Sequence, residues 1–267
     1  MALIQLDFYS KSLSKVTQVQ VLLPNDMPEE MIKDNAHFKR PIKILDLLQG
    51  FSGACKDWLF GSNIQELSGK YNLAVVMMNG DNSFYLNAKG KGKAYQTFTG
   101  EELPAYINKV FGFSGERENT FIGGLSMGGF GALHTGFAYP EVFSRVAALS
   151  SALVIHDIEN LPENFSDIIA DYDYYISVFG DLTKLADSEN NPEYLYKKDK
   201  NEKKELPSIY MACGKEDFLI EQNRCFYKFL SDENADVTYL EDRGIHDWTF
   251  WNRFLEPSIK WMLDLKE

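Results

Sequence analysis

The chain has 267 residues, 45% of them hydrophobic and 14% aromatic, enough for the buried core of one large α/β domain. A formal net charge of −12 argues against nucleic acid or an anionic membrane as a main partner, and no apolar run reaches the length of a membrane span. Three cysteines without metal-type spacing fit reduced thiols in a cytoplasmic protein better than a disulfide framework, and Met1 to Phe8 lacks the basic and apolar regions of a signal peptide.

In chain order, Ala2 to Ser10 and Thr17 to Leu23 read as two strands joined by the polar Lys11–Lys15 turn. Val19, Val21 and Leu23 alternate with Gln18, Gln20 and Leu22, the period of a half-buried antiparallel strand. Pro24 to Arg40 is polar and reads as a connecting loop with room for a helical turn. Ile42 to Leu48 is a run of central-strand type that stops at Gln49-Gly50-Phe51-Ser52-Gly53, and a helix is expected from about Trp58 to Tyr71. Leu73 to Met78 is continuously apolar, as in strands buried on both faces of a parallel sheet, and opens into the turn-rich loop Asn79–Tyr85. Glu101 to Phe111 places Leu103, Tyr106, Ile107, Val110 and Phe111 on one helical stripe. Thr120-Phe121-Ile122 then leads into a glycine-rich turn, a helix over Ala132–Tyr139 and a strand within Val142–Ser150.

Leu153 to Leu206 breaks this alternation. It is acidic, tyrosine-rich and ends in the Lys197–Glu205 charge run, which reads as a solvated face. The expectation is one domain over 1–267, with 153–206 as a cap-like insertion. Strand, helix, strand and helix resume at Ser208–Cys213, Leu219–Asn234, Val237–Leu240 and Arg253–Lys266. Strands alternating with helices after an antiparallel start imply an α/β fold: a mostly parallel sheet covered on both faces. The reactive site of such a sheet lies at the carboxyl ends of its strands, here the loops after Leu48, Met78, Ile122, Cys213 and Leu240.

The chemistry-bearing stretch is Gly124-Leu125-Ser126-Met127-Gly128, between a strand and a helix. That is the setting of a nucleophile elbow, a turn so sharp that neighbours bearing a Cβ would collide and a hydroxyl is lifted to a helix N-terminus. A serine alcohol needs a base, and the base needs an orienting carboxylate. Of four histidines, His246 follows the last strand and lies at the correct end of the sheet. His37 precedes the first core strand, His134 falls two turns down the elbow helix, and His156 opens the insertion. For the acid, Asp217 in Gly214-Lys215-Glu216-Asp217 is preferred to Glu216; Asp242 and Asp247 compete, and a helix N-cap is the plain structural alternative. The order Ser126…Asp217…His246 is that of α/β-hydrolases. The backbone N–H groups of Met127 and of Phe51, the latter aimed by Gly50, are the expected oxyanion donors. Trp248, Tyr175 and Phe51 are expected at a substrate pocket; Tyr172, Tyr174 and Phe179 either roof it or pack the insertion onto the sheet, and Tyr85 is a weaker candidate.

With these residues in place the chain resembles the esterase D-like group of α/β-hydrolases, and more narrowly bacterial tributyrin esterases. The resemblance runs over nearly the whole length and rests on Leu47-Leu48-Gln49-Gly50-Phe51-Ser52-Gly53 with Trp58, Gly124-Leu125-Ser126-Met127-Gly128-Gly129-Phe130-Gly131-Ala132, Cys213-Gly214-Lys215-Glu216-Asp217-Phe218-Leu219 and Gly244-Ile245-His246-Asp247-Trp248. It implies Ser126, Asp217 and His246 as a catalytic triad and the Phe51 and Met127 amides as an oxyanion hole. Many relatives have His-Gly where this chain has Gln49-Gly50, which makes the path of that loop the open question. The implied activity is hydrolysis of short-chain acyl esters through an acyl-enzyme, without metal or organic cofactor. Thioester cleavage of the S-formylglutathione type, feruloyl or acetyl-xylan esterase activity, and an inactive hydrolase-fold binding protein are the alternatives. A small-molecule ester is the expected partner, and a homo-oligomer is compatible with base rates.

Overall fold

In the computed structural model, which describes residues 1–265, eight strands form a single sheet in the order β1-β2-β4-β3-β5-β6-β7-β8. β1 (Ala2–Ser10) and β2 (Lys15–Leu23) make an antiparallel hairpin with Leu6 opposite Val19, and β2 runs antiparallel to β4 (Leu73–Met78). The remaining pairings, through β3 (Lys43–Leu48), β5 (Thr120–Leu125), β6 (Arg145–Leu149), β7 (Ser208–Gly214) and β8 (Val237–Asp242), are all parallel.

The sheet is covered because its central strands are apolar on both faces. All residues of β4 and β5 are buried, and successive residues of β3 feed different cores: Ile44 and Leu48 one, Leu45 and Leu47 the other. The covering helices, in chain order, are α1 (Ile64–Tyr71), α2 (Leu103–Phe111), α3 (Met127–Ala138), α4 (Tyr172–Phe179), α5 (Pro192–Asn201), α6 (Ile220–Asp232) and α7 (Trp248–Met262). Side chains of α1 and α7 fill one core; those of α2 to α6 fill the other. Phe250, Phe254, Leu255, Ile259 and Met262 of α7 are each buried, and such side chains stabilise by about 1.5–3 kcal/mol apiece when removed from water.

Several boundaries differ from the sequence expectation, each for a local reason. The helix expected over Trp58–Tyr71 is two, Asp57–Gly61 and α1, separated where the Ser62 hydroxyl donates to the Trp58 carbonyl and accepts from the Ile64 N–H. The polar 24–40 stretch holds two short helices, Glu29–Ile32 and Ala36–Lys39. α3 begins at Met127 rather than near Ala132, and α7 at Trp248 rather than Arg253, because the Asp247 carboxylate accepts the Phe250 N–H and caps it. Position 266, where the closing helix was expected to end, lies outside the described residues. Within 153–206, Ile155–Ile158, α4 and α5 are helical, and the Asp171 side chain accepts the Tyr174 N–H at the start of α4.

Candidate active site

Ser126 sits at the tip of β5 with φ +55° and ψ −120°, a backbone conformation an L-residue holds only when its surroundings impose it. They do so from both sides. Its N–H donates to the Leu149 carbonyl at 2.9 Å, and its carbonyl accepts the Ala152 N–H at 3.0 Å and the Phe130 N–H at 3.1 Å. The flanking glycines are required by space: a Cβ at Gly124 would lie 2.3 Å from the Gly128 carbonyl oxygen, and one at Gly128 would lie 2.4 Å from that of Leu48. The turn therefore seats the serine at the head of α3, whose first-turn N–H groups, Met127 included, have no acceptor within the helix.

His246 follows β8, and its Nδ1 lies 2.9 Å from Asp217 Oδ2 and 3.1 Å from Oδ1. The Asp217 side chain is wholly enclosed, that of His246 17% exposed. Burial alone raises the carboxyl's pKa, but the hydrogen bonds from His246 and from the Leu219 N–H outweigh it and hold Asp217 below the usual carboxylate value. Asp217 is thus an acceptor that fixes the proton on Nδ1 and leaves Nε2 as the imidazole's basic nitrogen. The competing carboxylates have other partners. Glu216 accepts the Gly244 N–H, Asp242 pairs with Arg253, and Asp247 caps α7. His134 is buried with Nε2 2.8 Å from the Glu189 carbonyl, and His156 pairs with Glu193. Burial, reinforced by the Asp217 charge, pushes the neighbouring Cys213 thiol up to about 12, so it is a neutral core group.

Ser126 and His246 open onto the same cavity of about 250 Å³. Its walls are apolar: Phe51, Phe84, Ala152, Val154, Ile169, Tyr174, Tyr175, Phe218 and Leu219, with Met127 beside the serine. Tyr174 and Tyr175 come from α4, so the segment 153–206 supplies part of the wall. Phe179 backs this wall, fully buried against Phe84 and Phe130. Trp248 is not among the lining residues. It packs edge-on against Trp58 and Trp251, and Trp251 meets the His246 ring at 5.0 Å. Tyr85 lies beneath the site, its hydroxyl donating to the Gln49 carbonyl. Ile169 and Phe218, both more than half exposed, were not anticipated; their apolar character at the rim of a cavity carries no pattern in sequence. Gln49 does brace its loop: its Nε2 donates to the Gly53 carbonyl at 2.6 Å. Among the described residues, no three His, Cys, Asp or Glu side chains are grouped to hold a metal ion.

A mostly parallel eight-stranded sheet with helices on both faces and a strained Gly-x-Ser-x-Gly turn at its carboxyl edge defines an α/β-hydrolase. Residues 10–262 match the model of the family described as "Putative esterase", and the chain belongs to this esterase D-like family of carboxylic ester hydrolases. It is 45% identical over 262 residues to an acetyl esterase of Caldicellulosiruptor saccharolyticus, with 98% of each chain covered. Among solved structures it is similar to the fluorophosphonate-binding serine hydrolase F of Staphylococcus aureus, at 27% identity, a TM-score of 0.83 and 98% of each chain. An S-formylglutathione hydrolase from Staphylococcus aureus gives 28% identity, a TM-score of 0.82 and 98% of each chain. No helix among the described residues is long and apolar enough to cross a membrane.

Proposed function

We propose that the chain hydrolyses short-chain acyl esters with Ser126, His246 and Asp217 as a triad. Ser126 Oγ attacks the ester carbonyl carbon while His246 Nε2 takes the hydroxyl proton. The negative charge gathering on the carbonyl oxygen is held by the Met127 and Phe51 N–H groups. The bond to the alcohol oxygen then breaks, His246 returns the proton to that oxygen, and the acyl group remains on Ser126. Water, deprotonated by the same imidazole, attacks the acyl carbon; the acid leaves and Ser126 regains its proton. Asp217 orients the ring and stabilises the imidazolium throughout.

The observation that carries this reading is the meeting of an over-determined serine and a carboxylate-held histidine on one apolar cavity. Support for Phe51 comes from its loop, where the neighbouring Ser52, Gly53 and Cys55 amides are engaged and Phe51 itself lines the cavity. Support for a short acyl group comes from the cavity volume, below the range of about 300–1,000 Å³ usual for ligand pockets, and from the acetyl esterase relative. None of the lining residues is a lysine or arginine that would attract an anionic thioester. Three free cysteines, two of them buried, favour a reducing, cytoplasmic setting.

Ser126→Ala is expected to fold normally and to lose about 10⁴–10⁶-fold in turnover. Ester cleavage surviving in this variant would overturn the assignment. On p-nitrophenyl acetate, butyrate and octanoate, kcat/KM should fall steeply at octanoate; a preference for S-formylglutathione or methyl ferulate would move the substrate class instead.

A further inference from the structure

The loop that carries Phe51 is gripped by the loop that follows β4. Three contacts cross between them: the Tyr85 hydroxyl donates to the Gln49 carbonyl at 3.1 Å, the Ser52 N–H donates to Asn82 Oδ1 at 2.8 Å, and the Cys55 N–H donates to Asn79 Oδ1 at 2.8 Å. Both loops are bent into conformations that need such bracing, with φ +63° at Ser52 and +44°, +50° and +56° at Asp81, Phe84 and Tyr85. The β4 loop is therefore the mould in which the loop of the Phe51 amide is cast.

Residues 153–206 touch this mould at Phe84, against Phe179, and at Asn82. The hydroxyl of Tyr174, on α4, donates to the Asn82 carbonyl at 2.6 Å. The ring of the same tyrosine lines the cavity and meets the Phe51 ring edge-on at 5.6 Å. Asn82 thus has two bonds with different owners, its backbone carbonyl held by α4 and its side chain holding Ser52. Asn82 is exposed, so water competes for both bonds; the N–H of the same peptide, that of Ser83, donates to the Gly80 carbonyl at 3.3 Å, and the Tyr174 hydroxyl holds the carbonyl side.

We propose that Tyr174 is a positioning residue for the oxyanion loop: through Asn82 and Ser52 it sets the Phe51 amide, while its ring bounds the acyl group. This rests on the assignment of the Phe51 N–H as an oxyanion donor and goes beyond it, since it makes one residue of the 153–206 segment act on both substrate fit and transition-state stabilisation. Because every ester presents the same carbonyl oxygen to that amide, losing the hydroxyl weakens turnover equally for all acyl lengths. Losing the wall would instead act unequally.

The test is Tyr174→Phe, which keeps the ring and removes the hydroxyl, compared with Asn82→Ala, the double variant and Ser126→Ala. Measurements on p-nitrophenyl acetate, propionate and butyrate are made well below the melting temperature and normalised by active-site titration. The expected result for Tyr174→Phe is a kcat lower by about 3- to 10-fold, the size of one ordinary hydrogen bond, by the same factor on each ester and with KM within about twofold. Asn82→Ala should lose about as much or more, and the double variant no more than Asn82→Ala alone. A Tyr174→Phe kcat within twofold of the parent, a loss graded by acyl length, or losses that multiply in the double variant would each overturn the coupling. Activity retained in Ser126→Ala would instead overturn the underlying mechanism.

Discussion

Ser126 illustrates how one residue's conformation is decided by the backbone around it. Its positive φ is held by the Leu149 carbonyl and the Ala152 and Phe130 amides, and the space for that turn exists because residues 124 and 128 lack a Cβ. Gly128→Ala would place a methyl 2.4 Å from the Leu48 carbonyl and 2.6 Å from that of Gln49, both backbone atoms that cannot rotate away. It should destabilise the fold by about 1–3 kcal/mol or more and abolish turnover, read as a lower melting temperature together with loss of fluorophosphonate labelling. This part of the site was legible in sequence because steric necessity writes itself as glycine. Asp46 was not legible: it sits inside a run read simply as a central strand, yet it is a fully buried carboxyl whose Oδ2 has no hydrogen-bond partner. One polar residue within an apolar strand leaves the period unchanged, so pattern reading passes over it.

Elements explain why, in the loop after β8, His246 lines the cavity and Trp248 two residues later does not. Trp248 stands two residues after His246, where an extended chain would put both side chains on one side. Asp247 ends that extension by capping α7, and helical winding then turns Trp248 toward Trp58 and brings Trp251 to the His246 ring instead. Gly61 records the same contact, since a Cβ there would lie 2.4 Å from the Trp248 ring. Asp217 and Asp247 therefore separate cleanly by substitution. Asp247→Ala should cost about 0.5–2 kcal/mol of stability while leaving most of the turnover, whereas Asp217→Asn should keep the melting temperature nearly unchanged and lose about 10⁴-fold in kcat. Equal losses of activity in the two variants would show that Asp247 shares in the chemistry. Strands were the most legible elements, because β3, β4 and β5 are apolar on both faces; the division of 153–206 into helices was not, because its tyrosines pack on aromatic neighbours and not on a repeating face.

For the whole molecule, the buried Asp46 carboxyl makes stability depend on pH in a direction opposite to that of most acids. Burial raises it from 3.8 to about 8, so between those values the folded chain holds a proton that the unfolded chain has released. Stability from this group is complete below the lower value and is lost as pH rises toward the upper, by about 1.4 kcal/mol per pH unit. Buried His134, held down at about 4 chiefly by burial, acts in the other sense below 6.5, so the Asp46 slope is read cleanly between pH 6.5 and 8. Asp46→Asn should flatten the decline in melting temperature across that interval; an unchanged slope would assign it to other groups. The sheet order has a consequence for synthesis. β5 and β6, which clip Ser126 between them, lie inside the sheet and come from the middle of the chain, whereas the loops bearing Asp217 and His246 follow β7 and β8 toward one edge. A domain generally folds as a unit, so parts of one sheet wait for the rest of it. The strained turn at Ser126 is therefore held only once the domain folds as a whole, and His246, on the loop after the last strand, leaves the ribosome after the residues that clip the serine.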